Sequence, residues 1–246
     1  MNQIDIIHTN DFHNHLSPAL LSQIRALRLE YPDSLLLDAG DAISAGNIGV
    51  RVGGEPILRE MSEVGYDGMT LGNREFHVID RILRMKIRDA SFPVLCCNMH
   101  WKEDTGDELP VVPHFVKSVN GTTVGVIGAT VPMVTNRMAA RSLSAYLFDD
   151  PVPAIQRQIV ALESQCDLII ALTHIGLRDD MRLAESCPNL TAIIGGHSHA
   201  VLEEPRIVNS VPIFQGGWYG HYIGHVVVTG EPGKTVVTGG LKKMED

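Results

Sequence analysis

Four runs of this chain are apolar almost from end to end and stop at an acid or a histidine: "IDIIHTND", "SLLLDAGD", "DLIIALTH" and "TAIIGGHSH". Each reads as a buried strand. Helices are expected over about 17–31, 55–64 and 78–89, again through "PAIQRQIVALESQ", and near 178–187. In the first half of the chain this alternation of strands and helices argues for parallel βαβ units. "PVLCCNM" reads as one more buried strand. "HFVKSVNGTTVGVIGAT" is different, because Asn120-Gly121 between two strand runs is a strong hairpin signal. The closing "RIVNSVPIFQGGWYGHYIGHVVVTGEPGKTVVTGG" reads as antiparallel strands. With no internal repeat or long linker, the expectation is one mixed α/β domain over 1–246.

A chain of 246 residues buries a substantial core. Its formal net charge of −9 argues against a nucleic-acid polymer as partner. No apolar run of about 18 residues is present, so no membrane span is expected. "MNQIDIIHTND" lacks the basic start and apolar core of a signal peptide, which points to a cytoplasmic protein. Cys96, Cys97, Cys166 and Cys187 show no C-x-x-C spacing and read as reduced, mostly buried thiols. The sequence leaves the oligomeric state open.

The unusual polar residues collect where the strands end. Asp11 and His13 follow the first strand, Gly40-Asp41 the second and Gly72-Asn73 the third; His174 ends a later strand, and His197 and His199 follow the next. Open α/β sheets bind ligands at this edge. Taken singly, each residue has an ordinary reading: Asp41 as a helix cap, His174 as a core histidine bonded to backbone, His197 and His199 as solvated loop residues. Together, oxygen and imidazole donors at the same end of five strands suit divalent Mn, Zn, Fe, Co or Ni. Seven donors exceed one tetrahedral ion, so two ions about 3.5–4 Å apart are expected.

D-x-H, then G-D, then G-N, then a strand-ending His, then G-H-x-H resembles the calcineurin-like metallophosphoesterase superfamily. "HTNDFHNHLSP", "GYDGMTLGN", "TVGVIGAT", "IIGGHSH" and "IFQGGWYGHYIGHV" are similar to the catalytic domain of its 5′-nucleotidase/UDP-sugar hydrolase branch. The resemblance runs over about 4–229. It implies a four-layer αββα sandwich, two mixed β-sheets with helices outside. It also implies that Asp11, His13 and His199 hold one metal, that Asn73, His174 and His197 hold the other, and that Asp41 bridges both. Two divalent ions beside two carboxylates keep a net positive charge that offsets a phosphate dianion and activates water for attack. The implied partner is a small phosphorylated substrate.

Arg74 and His77 break the pattern. The family's motif reads G-N-H-[E/D], with the histidine near the leaving group and, in the nucleotidase branch, an aspartate three residues later. Residues three apart on a helix share a face, so Arg74 and His77 are candidates to meet. In one reading Arg74 clamps phosphate and His77 supplies the proton. In another, Arg74 only stabilises charge and good leaving groups are preferred. In a third, Arg74 is structural and the site is weak or silent. Glu75 reads as a supporting or helix N-terminal residue rather than a ligand.

Asn14 and His15 are either cleft or loop residues, and Trp218, Tyr219 and His221 either border a substrate pocket or pack at a turn. His8 and His225 read as hydrogen-bonded structural histidines, and Met61 and Met69 as core. By this resemblance the chain is expected to comprise the branch's catalytic domain without its C-terminal nucleotide-specificity domain. The expectation is therefore a phosphomonoesterase for nucleotides or similar metabolites. The alternatives are a phosphodiesterase or pyrophosphohydrolase, and a catalytically reduced metal- or nucleotide-binding protein.

Overall fold

Ile4–Thr9 forms β1, buried at every position except Asp5. A strand covered on both faces needs apolar residues without alternation, as this run supplies. In the computed structural model, which describes residues 3–46, 48–231 and 234–244, the chain then enters α1 (Pro18–Glu30). Ser17 caps that helix by accepting from Leu20 N, and Pro18 opens it. β2 (Leu35–Asp38), α2 (Pro56–Val64), β3 (Gly68–Thr70), α3 (Asp80–Ile87) and the short β4 (Val94–Leu95) follow. β1 to β4 pair in parallel, as the alternation requires.

The middle of the chain contributes β5 (Met99–Trp101), β6 (His114–Val119), β7 (Thr122–Thr130) and β8 (Tyr146–Phe148). β6 and β7 form the expected hairpin, with Asn120 and Gly121 both at positive φ (51° and 78°). Then come α4 (Pro151–Leu162), β9 (Leu168–His174), α5 (Leu177–Ser186), β10 (Ala192–Gly195), β11 (Arg206–Val208), β12 (Val211–Phe214), β13 (Tyr222–Glu231) and β14 (Lys234–Lys243). Residues 232–233, within the closing segment expected to form antiparallel strands, lie outside the described residues.

One six-stranded sheet has the order β14-β13-β1-β2-β3-β4 and the other β11-β12-β10-β9-β7-β6, while β5 and β8 form a separate ribbon. Both large sheets are mixed. Neighbouring residues on a strand point to opposite faces, and here that divides the core in three. Ile6, Leu37, Val126, Ile170 and Ile194 meet between the sheets. Ile7, Leu36 and Met69 pack under α1 and α2 with Leu20, Ile24, Leu58 and Met61. Ile127, Ala171 and Ile193 pack under α4 and α5 with Ile155, Ile159 and Leu183. The result is the four-layer αββα sandwich.

Several elements depart from expectation. "PVLCCNM" is not one strand, because β4 stops at Leu95. Cys96 N bonds Val112 O, Cys97 N bonds Gly128 O, and a new strand starts at Met99. α3 begins at Asp80 rather than near 78. β11 and β12 are antiparallel to each other, but β12 runs parallel to β10, and β13 crosses to pair antiparallel with β1. All four cysteines are free, with Cys96 and Cys187 buried and the other two partly so. Among the described residues, no helix is long and apolar enough to cross a membrane.

The two strand histidines differ. His225 bonds Asp5 Oδ1 at 2.8 Å, as expected. His8 corrects the expectation, because neither ring nitrogen has a hydrogen-bond partner. It faces the inter-sheet core beside Phe214 and lies over Gly224, where an added Cβ would sit 1.8 Å from Nε2. Burial, with the charge of His225 second, lowers its pKa to about 4. The unfolded chain therefore binds this proton first. The stabilising contribution is complete above about pH 6.5 and is lost as pH falls toward 4, by about 3 kcal/mol. Urea unfolding at pH 7 and pH 4.5 should show a smaller loss of stability for His8→Leu than for the wild type; equal losses would remove His8 from this account.

Candidate metal centre

The carboxyl ends of five strands converge on one cleft, with β1, β2 and β3 from one sheet and β9 and β10 from the other. All seven expected side chains meet there. His13 Nε2 lies 3.6 Å from Asp11 Oδ1 and 3.4 Å from Asp41 Oδ2. His199 Nε2 is 3.3 Å from Asp11 Oδ1, and His174 Nε2 is 3.5 Å from Asp41 Oδ1. Asn73 Oδ1 faces His174 Nε2 at 3.2 Å and His197 Nδ1 at 3.0 Å. Asp41 thus offers one oxygen to each side. Two overlapping groups, Asp11 with His13 and His199, and Asp11 with Asp41 and His174, hold their donor atoms within 4.8 Å of one another. Asp11 reaches both groups, where the resemblance assigns it to one.

The backbone is bent to achieve this. Asp11, His13, Asp41, His197 and His199 have φ between 47° and 76°, the left-handed region. Such conformations cost about 1–3 kcal/mol each and cluster at functional sites. Reciprocal loop contacts hold them: Asp11 N donates to Gly40 O and His13 N to Asp41 O, both at 2.9 Å. His197 N donates to Asp11 Oδ2 at 2.9 Å, and Arg74 N to Asp41 Oδ1 at 2.7 Å.

Sequence reasoning missed most of the residues that support these loops. Glu75 is fully buried and accepts from Asp41 N, Gly72 N and Ile43 N at 3.0, 3.0 and 3.2 Å. It is a supporting residue as expected, though no helix starts there. Asn10 donates to Asp11 Oδ2 and Gly217 O and accepts from Gly216 N, tying β1's loop to the chain after β12. Buried Asp180 accepts from Thr173 and Gln215, while Gln215 Oε1 accepts from Ser198 and Ala200 N behind the His197–His199 loop. Burial pushes the Asp180 carboxyl up to about 7. Nothing in sequence marks Asp180 or Gln215, since the bonds that join them to each other and to the loop span 15 or more residues.

The donors suit divalent cations. Asp11 Oδ1 and His13 Nε2 are buried without a hydrogen-bond partner, although both point into the shared space. His174 Nδ1 bonds Ala39 O at 2.7 Å, leaving Nε2 toward Asp41 and Asn73. A backbone bond of this kind sets the tautomer of a ligating histidine. Burial would raise the Asp11 carboxyl, but facing His13 and His199 outweigh it and hold it well below the usual range. Asp41 is held low in the same way by His13 and His174. His174, despite burial, is pushed up to about 9 by Asp41. Burial lowers His197, with the charge of His174 second.

Arg74 and His77 do not share a helix face. Residues 73–75 form a turn and α3 starts five residues after it. Arg74 Nε lies 3.8 Å from Asp41 Oδ2 and Nη1 3.4 Å from Ser44 O, with 30% of the side chain exposed at the rim. His77 is buried, its Nδ1 accepts from Ile79 N at 3.0 Å, and burial followed by Lys86 lowers its pKa. A turn, unlike a helix, does not stack residues three apart.

The model of the calcineurin-like phosphoesterases matches residues 4–201. The chain belongs to that family. It is 28% identical over 238 residues to metallophosphoesterase YunD of Bacillus subtilis, covering 92% of this chain and 50% of that protein. It is also 28% identical over 281 residues to the 5′-nucleotidase of Rattus norvegicus, covering 96% of this chain and 48% of the relative. The crystal structure of a 5′-nucleotidase precursor from Thermus thermophilus superposes with a TM-score of 0.81 at 25% identity, over 99% of this chain and 55% of that one. The chain spans about half the length of the curated relatives it matches.

Loop spacing in this calcineurin-like phosphoesterase is tight enough to test. A Cβ at Gly72 would lie 2.2 Å from Asp41 N and 2.4 Å from Asp41 Oδ1. Gly72→Ala should lower stability by about 1–3 kcal/mol in urea unfolding and weaken Mn²⁺ binding in equilibrium dialysis. Wild-type values for both would show that the loops yield to a methyl group.

Proposed function

We propose that this chain hydrolyses phosphoesters of small metabolites, nucleotides among them, with two divalent ions held by Asp11, His13, Asp41, Asn73, His174, His197 and His199. The observation that carries the proposal is Asp41, which is buried between two histidine groups with one oxygen turned to each. Bound there, such ions would offset phosphate charge and activate water near neutral pH. The protein's part is to keep Asp11 and Asp41 ionised, to orient His174 through Ala39, and to hold Asn73 toward His174 and His197.

Arg74 brings a fixed positive charge to the rim, where it can meet phosphoryl oxygens. It does not give up its proton at neutral pH, and His77 is engaged with Ile79. This arrangement favours the charge-stabilising role for Arg74 and substrates whose leaving group departs without a proton. Aryl phosphates and acidic phosphodiesters or pyrophosphates should therefore turn over faster than alkyl phosphates, since lost general-acid help typically costs about 10²–10⁴-fold.

Metal-depleted protein reloaded with Mn²⁺, Zn²⁺, Co²⁺ or Ni²⁺ should bind two ions per chain. It should release phosphate from p-nitrophenyl phosphate and more slowly from alkyl monoesters, with nucleoside monophosphates and bis-p-nitrophenyl phosphate completing the panel. Two ions without turnover on any substrate would make the chain a metal-binding protein instead. Arg74→Ala should lower kcat/KM for p-nitrophenyl phosphate about 10²-fold, and His77→Ala should have little effect. A loss at His77 as large as at Arg74 would return the proton-donor role to His77.

A further inference from the structure

Beside the metal centre lies a group of rings that the hydrolytic reading leaves unused. Tyr219 stacks on His15 with ring centroids 4.0 Å apart and planes at 28°. Its edge meets His13 at 5.5 Å. Trp218 lies nearly parallel to His199 at 5.7 Å, and His221 borders both Trp218 and Tyr219. Two of the proposed metal ligands are thus in ring contact with this group.

Simple packing does not explain the arrangement. Tyr219 is 37% exposed, and His15 and His221 are exposed as well. Tyr219 also holds φ at 59°, which a bulky aromatic residue rarely adopts. The chain fixes it there: Tyr219 N donates to Asp11 O and Gly217 N to Ala200 O, both at 2.9 Å. Asn10 clamps Gly216 and Gly217 from below. Gly220 follows at φ 69°, where a Cβ would lie 2.2 Å from Leu20 Cδ2. Strain kept to hold a ring at the surface is the mark of a contact surface rather than of a core. Two hollows flank the pair, one of about 330 Å³ reached past Asn14 and His15, the other about 380 Å³ beside Trp218 and Lys243.

We propose that Tyr219 and Trp218, with His15 behind Tyr219, bind a planar ring carried by the leaving group, and so select phosphoesters of aromatic or heterocyclic alcohols. The inference rests on the metal-dependent hydrolytic reading for the position of the phosphoryl group. Rigid aromatic faces bind planar rings with little entropy to lose, and each stack removed costs about tenfold or more in affinity.

The test compares phenylphosphonate with methylphosphonate, two ligands that resist hydrolysis and differ in the ring. On Mn²⁺-loaded full chain, isothermal titration should show phenylphosphonate binding about tenfold more tightly. In a Trp101→Phe background, which leaves Trp218 as the single tryptophan, phenylphosphonate should quench the fluorescence. Tyr219→Ala and Trp218→Ala should each bring the affinity ratio toward one, while Tyr219→Phe keeps it. Equal affinities in the wild type, or a ratio untouched by both alanine variants, would overturn the ring site and leave the hydrolytic reading standing. Ring-dependent binding in a protein that turns over no phosphoester would do the reverse. Binding of neither phosphonate would overturn the ring site.

Discussion

Asp41 is buried in the seam between two sheets, with one carboxylate oxygen toward His13 and the other toward His174. A carboxylate out of water is costly unless charge and hydrogen bonds compensate it. Here the compensation comes from both halves of the sandwich at once. His13 arrives from the loop after β1 and His174 from the end of β9, so the two sheets must be stacked and in register for Asp41 to be stable at all. Asp11 is placed in the same way between His13 and His199. The fold and the site are in this sense one requirement.

Holding five of the candidate ligand residues in left-handed backbone has a further consequence. Asp11, His13, Asp41 and His197 each donate a backbone N–H to a neighbouring loop, and those loops depend on buried groups farther out. Glu75 fixes the Asp41 and Gly72 backbones, Asn10 fixes the Gly216-Gly217 turn, and Asp180 with Gln215 fixes the chain around Ser198. The Asn10 link also carries the aromatic pair, because Trp218 and Tyr219 follow directly on the residues it clamps. The charge at the rim, Arg74, belongs to the same frame, since its own N–H donates to Asp41. A change in side chain at position 74 therefore alters the chemistry of the cleft without altering the path of its backbone.

What the sequence determined by itself was most of the buried strands, their alternation with helices in the first half, and the seven polar residues at the strand ends. These were legible because they are local: an apolar run, an Asn-Gly turn, or a glycine beside an acid is visible within a few residues. The tertiary structure decided the rest. It split "PVLCCNM" at Leu95, sent β12 and β13 to different sheets, and left His8 without a partner, because each outcome depends on what lies across the sheet rather than along the chain. It also put Arg74 in a turn ahead of α3 rather than on a helix face shared with His77, and it brought Glu75, Asp180 and Gln215 behind the candidate ligands. A buried polar group finds its partners in space, and only the closed sandwich brings together residues that lie 15 to more than 200 positions apart in the chain.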